Sequence, residues 1–185
     1  MSNKKGKLVV ISAPSGTGKG TVINKLLKLQ PGFAFSVSAT TRKPRQGETD
    51  GVEYFFLSKE RFNEMIENNE FLEYACYVGE FYGTPIKPIQ EYIDSGTTVI
   101  LDIEVQGAKQ VMAKDIKATT IFIIAPDMEE LEKRLRGRGT DSDEKVSSRL
   151  ERAKLEIEEK HHYDHIVVND SAARAAEEIL SLINK

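Results

Sequence analysis

Residues 7–21, KLVVISAPSGTGKGT, run an apolar strand straight into a glycine-rich turn that ends in Gly18, Lys19, Gly20 and Thr21. Leu8, Val9, Val10 and Ile11 form an unbroken apolar stretch, the pattern of a strand buried on both faces. Beyond the turn, Val22, Leu26 and Leu29 recur at helical spacing. A strand, a turn of small residues and a helix, in that order, aim backbone N–H groups at an anion, and Lys19 adds a charge that can reach outer phosphates. The general pattern GxxxxGK followed by Ser or Thr is met with two departures: Ala13 replaces the first glycine, and Gly20 delays the hydroxyl to Thr21. An ordinary glycine-rich strand-to-helix turn is the alternative. The candidate phosphate cradle comprises Ala13, Pro14, Ser15, Gly16, Thr17, Gly18, Lys19, Gly20 and Thr21.

A chain of 185 residues can bury the core of one domain with inserted subdomains. Lys and Arg total 26 against 29 Asp and Glu, a formal charge of −3 that argues against a generic nucleic-acid or membrane-surface binder. The opening MSNKKGK lacks a signal-peptide apolar region, and no apolar run approaches the ~18 residues of a membrane span. The expectation is a soluble, cytoplasmic protein. The single cysteine, Cys76, leaves no intramolecular disulfide or thiolate metal cluster and is expected to pack as a small half-buried residue.

Further strand patterns fall at 97–103, 119–125 and 165–168, separated by helical patterns near 104–115, 127–138, 143–160 and 171–184. That alternation predicts a central parallel sheet flanked by helices, an α/β fold. In the last helix Ala172, Ala176, Ile179, Leu180 and Ile183 share one face. Between 34 and 90, short alternating runs such as FAFSVS, VEYFFL and FLEYACYV are broken by glycines, which predicts an inserted, mostly antiparallel unit.

Within that insert, residues 36–48 gather hydroxyls, Arg42, Arg45 and Glu48 beside a turn, with Tyr54 and Tyr82 further on. Guanidinium forks hold phosphate oxygens bidentately, so this stretch suits a second phosphate. A solvated basic loop is the alternative. Glu73 and Glu104 each follow or interrupt apolar runs, and a buried carboxylate needs donors. Guanine offers N1–H and N2–H₂ side by side, while Ser38 or Thr84 could donate to its O6. Either glutamate could instead cap a helix. Asp102 closes the strand 99–102, where an acidic partner for Mg²⁺ is expected with the Thr21 hydroxyl nearby; a helix cap is again the alternative.

Residues 127–152 place Arg134 and Arg138 four apart and Arg149 and Arg152 three apart, on a helix–turn–helix arm whose second helix opens with a capping-box pattern at Asp141 and Glu144. Such an arm could close as a lid over a transferring phosphoryl group. Interleaved glutamates allow plain surface ion pairs as well. His161, His162 and His165 lack the neighbours of a metal site and receive no role.

Six blocks together, SAPSGTGKGT, SVSATTRKPRQGETDGVEYFF, FLEYACYVGEFYGTP, VILDIEVQGAK, RLRGRGTDSDEKVSSRLERA and VVND, resemble the guanylate kinase family in content and order. The resemblance implies a P-loop NTPase core (1–36, 91–125 and 160–185), a GMP-binding subdomain (37–90) and a lid (126–159). It implies transfer of the γ-phosphoryl of ATP to GMP with Mg²⁺, giving ADP and GDP. By resemblance, Arg42, Arg45, Tyr54 and Tyr82 hold the GMP phosphate, and Ser38, Glu73, Thr84 and Glu104 read guanine, with Glu48 and Asp102 in the same site. Arg134, Arg138 and Arg149 approach the phosphates, Asn169 lies near adenine, and Lys19 and Arg42 join the catalytic set. Thr21 and Asp102 are the candidate metal ligands. Acceptance of dGMP, and the choice between monomer and homodimer, stay open. Two rivals remain beside it: a non-catalytic scaffold binding phosphorylated partners, and a kinase of the same fold acting on another acceptor.

Overall fold

Strand β1 (Leu8–Ser12) is buried along its whole length because its residues alternate between two cores. The structure is a computed structural model that describes residues 5–114, 116–137 and 142–185. Val9 and Ile11 meet Val22, Ile23 and Leu26 of α1 (Lys19–Leu29) and Ala176, Ile179 and Ile183 of α7 (Ala172–Ile183). Leu8 and Val10 meet the opposite layer, built by α3 (Ile86–Asp94) and α4 (Val105–Met112). Around β1 runs a five-stranded, wholly parallel sheet in the order β2 (Ala34–Phe35), β7 (Val99–Asp102), β1, β8 (Ala118–Ile124), β9 (His165–Val168). Helices on both faces of a parallel sheet are what buried, continuously apolar strands require. Leu29, expected on the buried stripe, is half-exposed: α1 ends there, and its cover comes through Val22, Ile23 and Leu26.

The segment 34–90 divides differently from its sequence texture. The run FAFSVS splits, with β2 joining the main sheet beside β7 and β3 (Ser38–Thr40) entering a second sheet. That second sheet has the order β4 (Tyr54–Phe56), β3, β6 (Glu80–Pro85), β5 (Phe71–Tyr77). Two of its pairings are antiparallel, and β3 with β4 is parallel. Helix α2 (Lys59–Glu67), read by no sequence pattern above, covers it. Ser58 caps this helix by accepting from Arg61 N–H, and Phe62 stacks on Phe71 and Phe81 at centroid distances of 4.4 and 5.4 Å.

Helices α5 (Met128–Arg136) and α6 (Asp143–Glu158) share a separate small core of Leu131, Leu135, Val146 and Ala153. The cap of α6 is Ser142, whose Oγ accepts from Lys145 N–H; of the capping-box pair, Asp141 lies outside the described residues. Among the described residues no helix is long and apolar enough to cross a membrane.

Strands β5 and β6 are joined by a two-residue turn in which both Val78 (φ 51°) and Gly79 (φ 79°) are left-handed. That geometry matches the twist of a hairpin but strains a β-branched residue, and Val78 is 85% exposed, so no packing compensates. Val78→Asn is expected to stabilise the protein by about 1 kcal/mol, raising the melting temperature by about 2–4 °C. An unchanged melting temperature in calorimetry would show that the turn carries no strain.

Candidate active site

The turn after β1 curls because Gly16 (φ 92°) and Gly18 (φ 87°) take left-handed conformations that admit glycine without cost. Gly18 sits at the N-cap of α1, so the helix's first N–H groups face the space in front of the turn. Lys19 Nζ reaches back across the sheet, donating to the Ile103 carbonyl at 3.0 Å and pairing with Asp102 Oδ1 at 2.5 Å. Asp102 is therefore a partner of the lysine, and the N-cap of α4 is Glu104 instead.

Two predicted residues stand behind the turn, where they brace it. Asn169 Nδ2 donates to the Thr17 carbonyl at 2.7 Å, and Arg134 donates to the same carbonyl at 3.2 Å and to Asn169 O at 3.0 Å. Arg134 is held in turn by Glu130 at 2.8 Å. Asn169 is 4% exposed, and its Oδ1 has no partner among the described residues. In front of the turn, α6 presents Lys145, Ser148, Arg149 and Arg152 along one face, and Arg149 donates to Ser15 Oγ at 2.5 Å. Between them lies a cavity of about 800 Å³ lined by residues 13–21, that helix face, Tyr77 and Glu104. Lys145, one turn before Arg149, was missed although the helical period marks it. Arg138 lies outside the described residues.

A second cavity of about 420 Å³ gathers Ser38, Tyr54, Glu73, Tyr82, Asp102 and Glu104 from the predicted set. It adds Cys76, Tyr77, Gln106, Gly107 and Arg152, which sequence reasoning did not assign to it. Arg42, Arg45 and Glu48 are not themselves among the lining residues but adjoin the cavity through Tyr54. Arg42 grips Glu48 with two bonds of 2.9 Å and lies over the rings of Tyr54 and Phe56 at 5.4 and 5.7 Å, while Arg45 N–H donates to Glu48 at 2.7 Å. The hydrogen bond to Arg42 holds the Glu48 carboxyl below its usual range, and Glu48 raises Arg42. A carboxylate engaged this way orients the arginine fork and is not itself suited to contact a phosphate.

Glu104 was expected in an apolar setting and is instead 74% exposed along its side chain, because the chain has already left β7 for α4; it pairs with Arg152 at 2.9 Å. Cys76, expected half-buried, is exposed, since β5 runs beyond its core toward the hairpin tip. Glu73 behaves as predicted: it is 8% exposed and accepts from Thr84 Oγ1 at 2.5 Å. That bond commits the proton of the fully buried Thr84, which leaves Ser38 as the predicted hydroxyl facing the cavity.

Burial pushes the Glu73 carboxyl above the ordinary carboxylate range, opposed by the Thr84 hydrogen bond and reinforced by the charge of Glu104. A folded-state value above the unfolded one means that ionising Glu73 costs stability as pH rises through the folded value. Glu73→Gln is therefore expected to be more stable than the parent near neutral pH, with the gain shrinking toward about pH 4, the unfolded glutamate value. Urea titrations of both proteins across that range measure it. A pH-independent difference would refute the burial account.

A glycine-rich loop at the carboxyl edge of a parallel sheet, set beside a second pocket that holds a buried carboxylate, is the architecture of a P-loop α/β protein. The chain belongs to the guanylate kinase family, whose profile matches residues 5–185. It is 50% identical to the guanylate kinase of Mesoplasma florum over 188 aligned residues, covering 99% of this chain and 62% of that protein. It is also 50% identical to the Lactococcus lactis guanylate kinase over 180 residues, covering 97% and 88% respectively. Among solved structures, the guanylate kinase of Anaplasma phagocytophilum superposes with a TM-score of 0.74 at 34% identity, covering 98% of this chain and 86% of that one.

Proposed function

We infer that the chain is a kinase that transfers the γ-phosphoryl group of ATP to GMP, yielding ADP and GDP. Family membership supports this reading, and one geometric observation carries it: the two cavities share Tyr77, Glu104 and Arg152 as a common wall. Two nucleotides placed in them would meet phosphate to phosphate, the arrangement an in-line transfer needs.

The acceptor is a phosphate monoester with a second pKa near ~6, so at neutral pH it already carries a nucleophilic oxygen and needs no general base. The chain's own contribution is positioning and charge. Lys19 and the N–H groups of the loop would cradle the donor phosphates, and Arg149 and Lys145 close the cavity from α6. Arg42 and Arg45, with the hydroxyls of Tyr54 and Tyr82, are the proposed ligands of the acceptor phosphate. Thr21 of the first cavity and Asp102 of the second are the oxygen donors proposed to hold the Mg²⁺ accompanying ATP, which would neutralise phosphate charge. Glu73 would accept from guanine N1–H and N2–H₂, with Ser38 facing O6.

The proposed division into a core, an acceptor subdomain (37–90) and a lid (126–159) is supported by the separate apolar cores around Phe62 and around Leu135. Asn169, Arg134 and Arg138 remain in the proposed donor set, the first two acting through the loop they brace.

Lys19→Ala is expected to lower kcat roughly 100-fold or more, the scale of losing one charge-stabilising group; near-normal turnover would remove Lys19 from the transition state. A panel of GMP, dGMP, IMP, AMP and UMP, assayed by ADP release with ATP and Mg²⁺, tests the whole reading. GMP is expected to lead. No turnover with any acceptor would indicate a binding scaffold, and a different leading acceptor would indicate another kinase of this fold.

A further inference from the structure

Gly107 sits inside α4, fully covered, where a helix is ordinarily less stable with glycine than with alanine. Its φ is unremarkable for a helix, so backbone freedom does not explain it; close approach does. A Cβ built on Gly107 would stand 2.6 Å from Glu73 Oε2, 3.1 Å from Cδ and 3.3 Å from Cγ. The bare helix backbone is thus the surface against which the carboxylate rests, opposite the hydroxyl of Thr84 on Oε1.

Helix α4 has no room to retreat. Gln110, one turn on, uses its side-chain amide to accept from Tyr74 N–H at 3.1 Å and to donate to Tyr74 O at 2.8 Å. Lys114, a further turn along and just past α4, donates to Phe71 O at 2.5 Å. Residues 107, 110 and 114 share one side of that stretch, and all three meet β5 around Glu73. An added methyl group at 107 therefore displaces the end of the Glu73 side chain, the one flexible partner in the contact.

We infer that Gly107 is a specificity-positioning residue: the missing side chain at this point of α4 sets where the Glu73 carboxylate stands in the acceptor cavity. The inference rests on the reading of Glu73 as the guanine-facing group. Because the cost falls on a movable carboxylate while alanine favours the helix, Gly107→Ala retains its fold and loses base recognition.

The test compares Gly107→Ala with the parent and with Glu73→Gln, measuring KM for GMP, KM for ATP, melting temperature, and the ratio of kcat/KM for GMP to that for IMP, which lacks the 2-amino group. Gly107→Ala is expected to raise KM for GMP roughly 10- to 100-fold, the scale of losing a hydrogen bond to a charged group, with KM for ATP and melting temperature unchanged. The GMP-to-IMP ratio should fall toward that of Glu73→Gln; as a ratio it is independent of the fraction folded. Adding Glu73→Asp, one methylene shorter, to Gly107→Ala should recover GMP use, although Glu73→Asp alone impairs the parent. If Glu73→Gln impairs GMP and Gly107→Ala leaves both KM and the acceptor ratio within about twofold of the parent, the positioning role is overturned. If Glu73→Gln itself leaves GMP use intact, the guanine reading of Glu73 fails, and the role of Gly107 with it.

Discussion

The carbonyl oxygen of Ile103 accepts two hydrogen bonds, from Ser12 Oγ at 2.8 Å and from Lys19 Nζ at 3.0 Å. Both halves of the site hang on this point. The parallel register that sets Ile11 against Asp102 brings the end of β1 level with the end of β7, so one chain leaves for the phosphate loop beside the other leaving for Glu104 and α4. Lys19 is thus held extended by a carbonyl and a carboxylate before any phosphate arrives. A charge already ordered in its working direction loses little further freedom on binding, which is the physical content of preorganisation.

The same device recurs with the arginines. Arg42 is fixed by the fork of Glu48 and by two aromatic rings, Arg134 by Glu130 and two carbonyls, and Arg152 by Glu104 and Glu156. The exposed pair of Arg152 with Glu104 contributes little to folding stability, generally under about 1 kcal/mol for such pairs. Their effect is directional: each acid fixes where a guanidinium points. The negative formal charge of the chain is therefore compatible with local positive sites, because several of its acids orient individual arginines.

What could be read from residues alone was whatever has a short period or a short motif. The apolar run Leu8 to Ile11, the glycine loop and the stripe of α7 are local patterns, and the main sheet followed from them. Non-local contacts were not legible. That Arg134 braces Thr17 across 117 positions of sequence, or that Gly107 underlies Glu73, depends on how layers meet. Glu104 and Cys76 were misjudged for a related reason: apolar neighbours in sequence say which strand a residue leaves, and exposure depends on whether the strand still has cover at that point. Helix α2 was missed among short apolar runs, although Ser58 and the spacing of Phe62, Met65 and Ile66 carry its signal.

At Glu73 stability and the proposed recognition would pull apart. Thr84 satisfies one of its oxygens, and the second lies beside Gly107 on the cavity wall, in surroundings that already push the carboxyl toward its neutral form. An amide there would fold more comfortably, and a side chain at 107 would favour the helix, so neither residue is chosen for the empty protein. Under the proposed reading, a base offering two adjacent N–H donors would reverse the sign by supplying the partners that burial withholds, at a carboxylate held by Thr84 on one side and Gly107 on the other. Discrimination would then follow from mismatch, since a ring presenting an acceptor at that edge would leave a buried charge facing a lone pair, the kind of conflict that separates acceptors by several orders of magnitude.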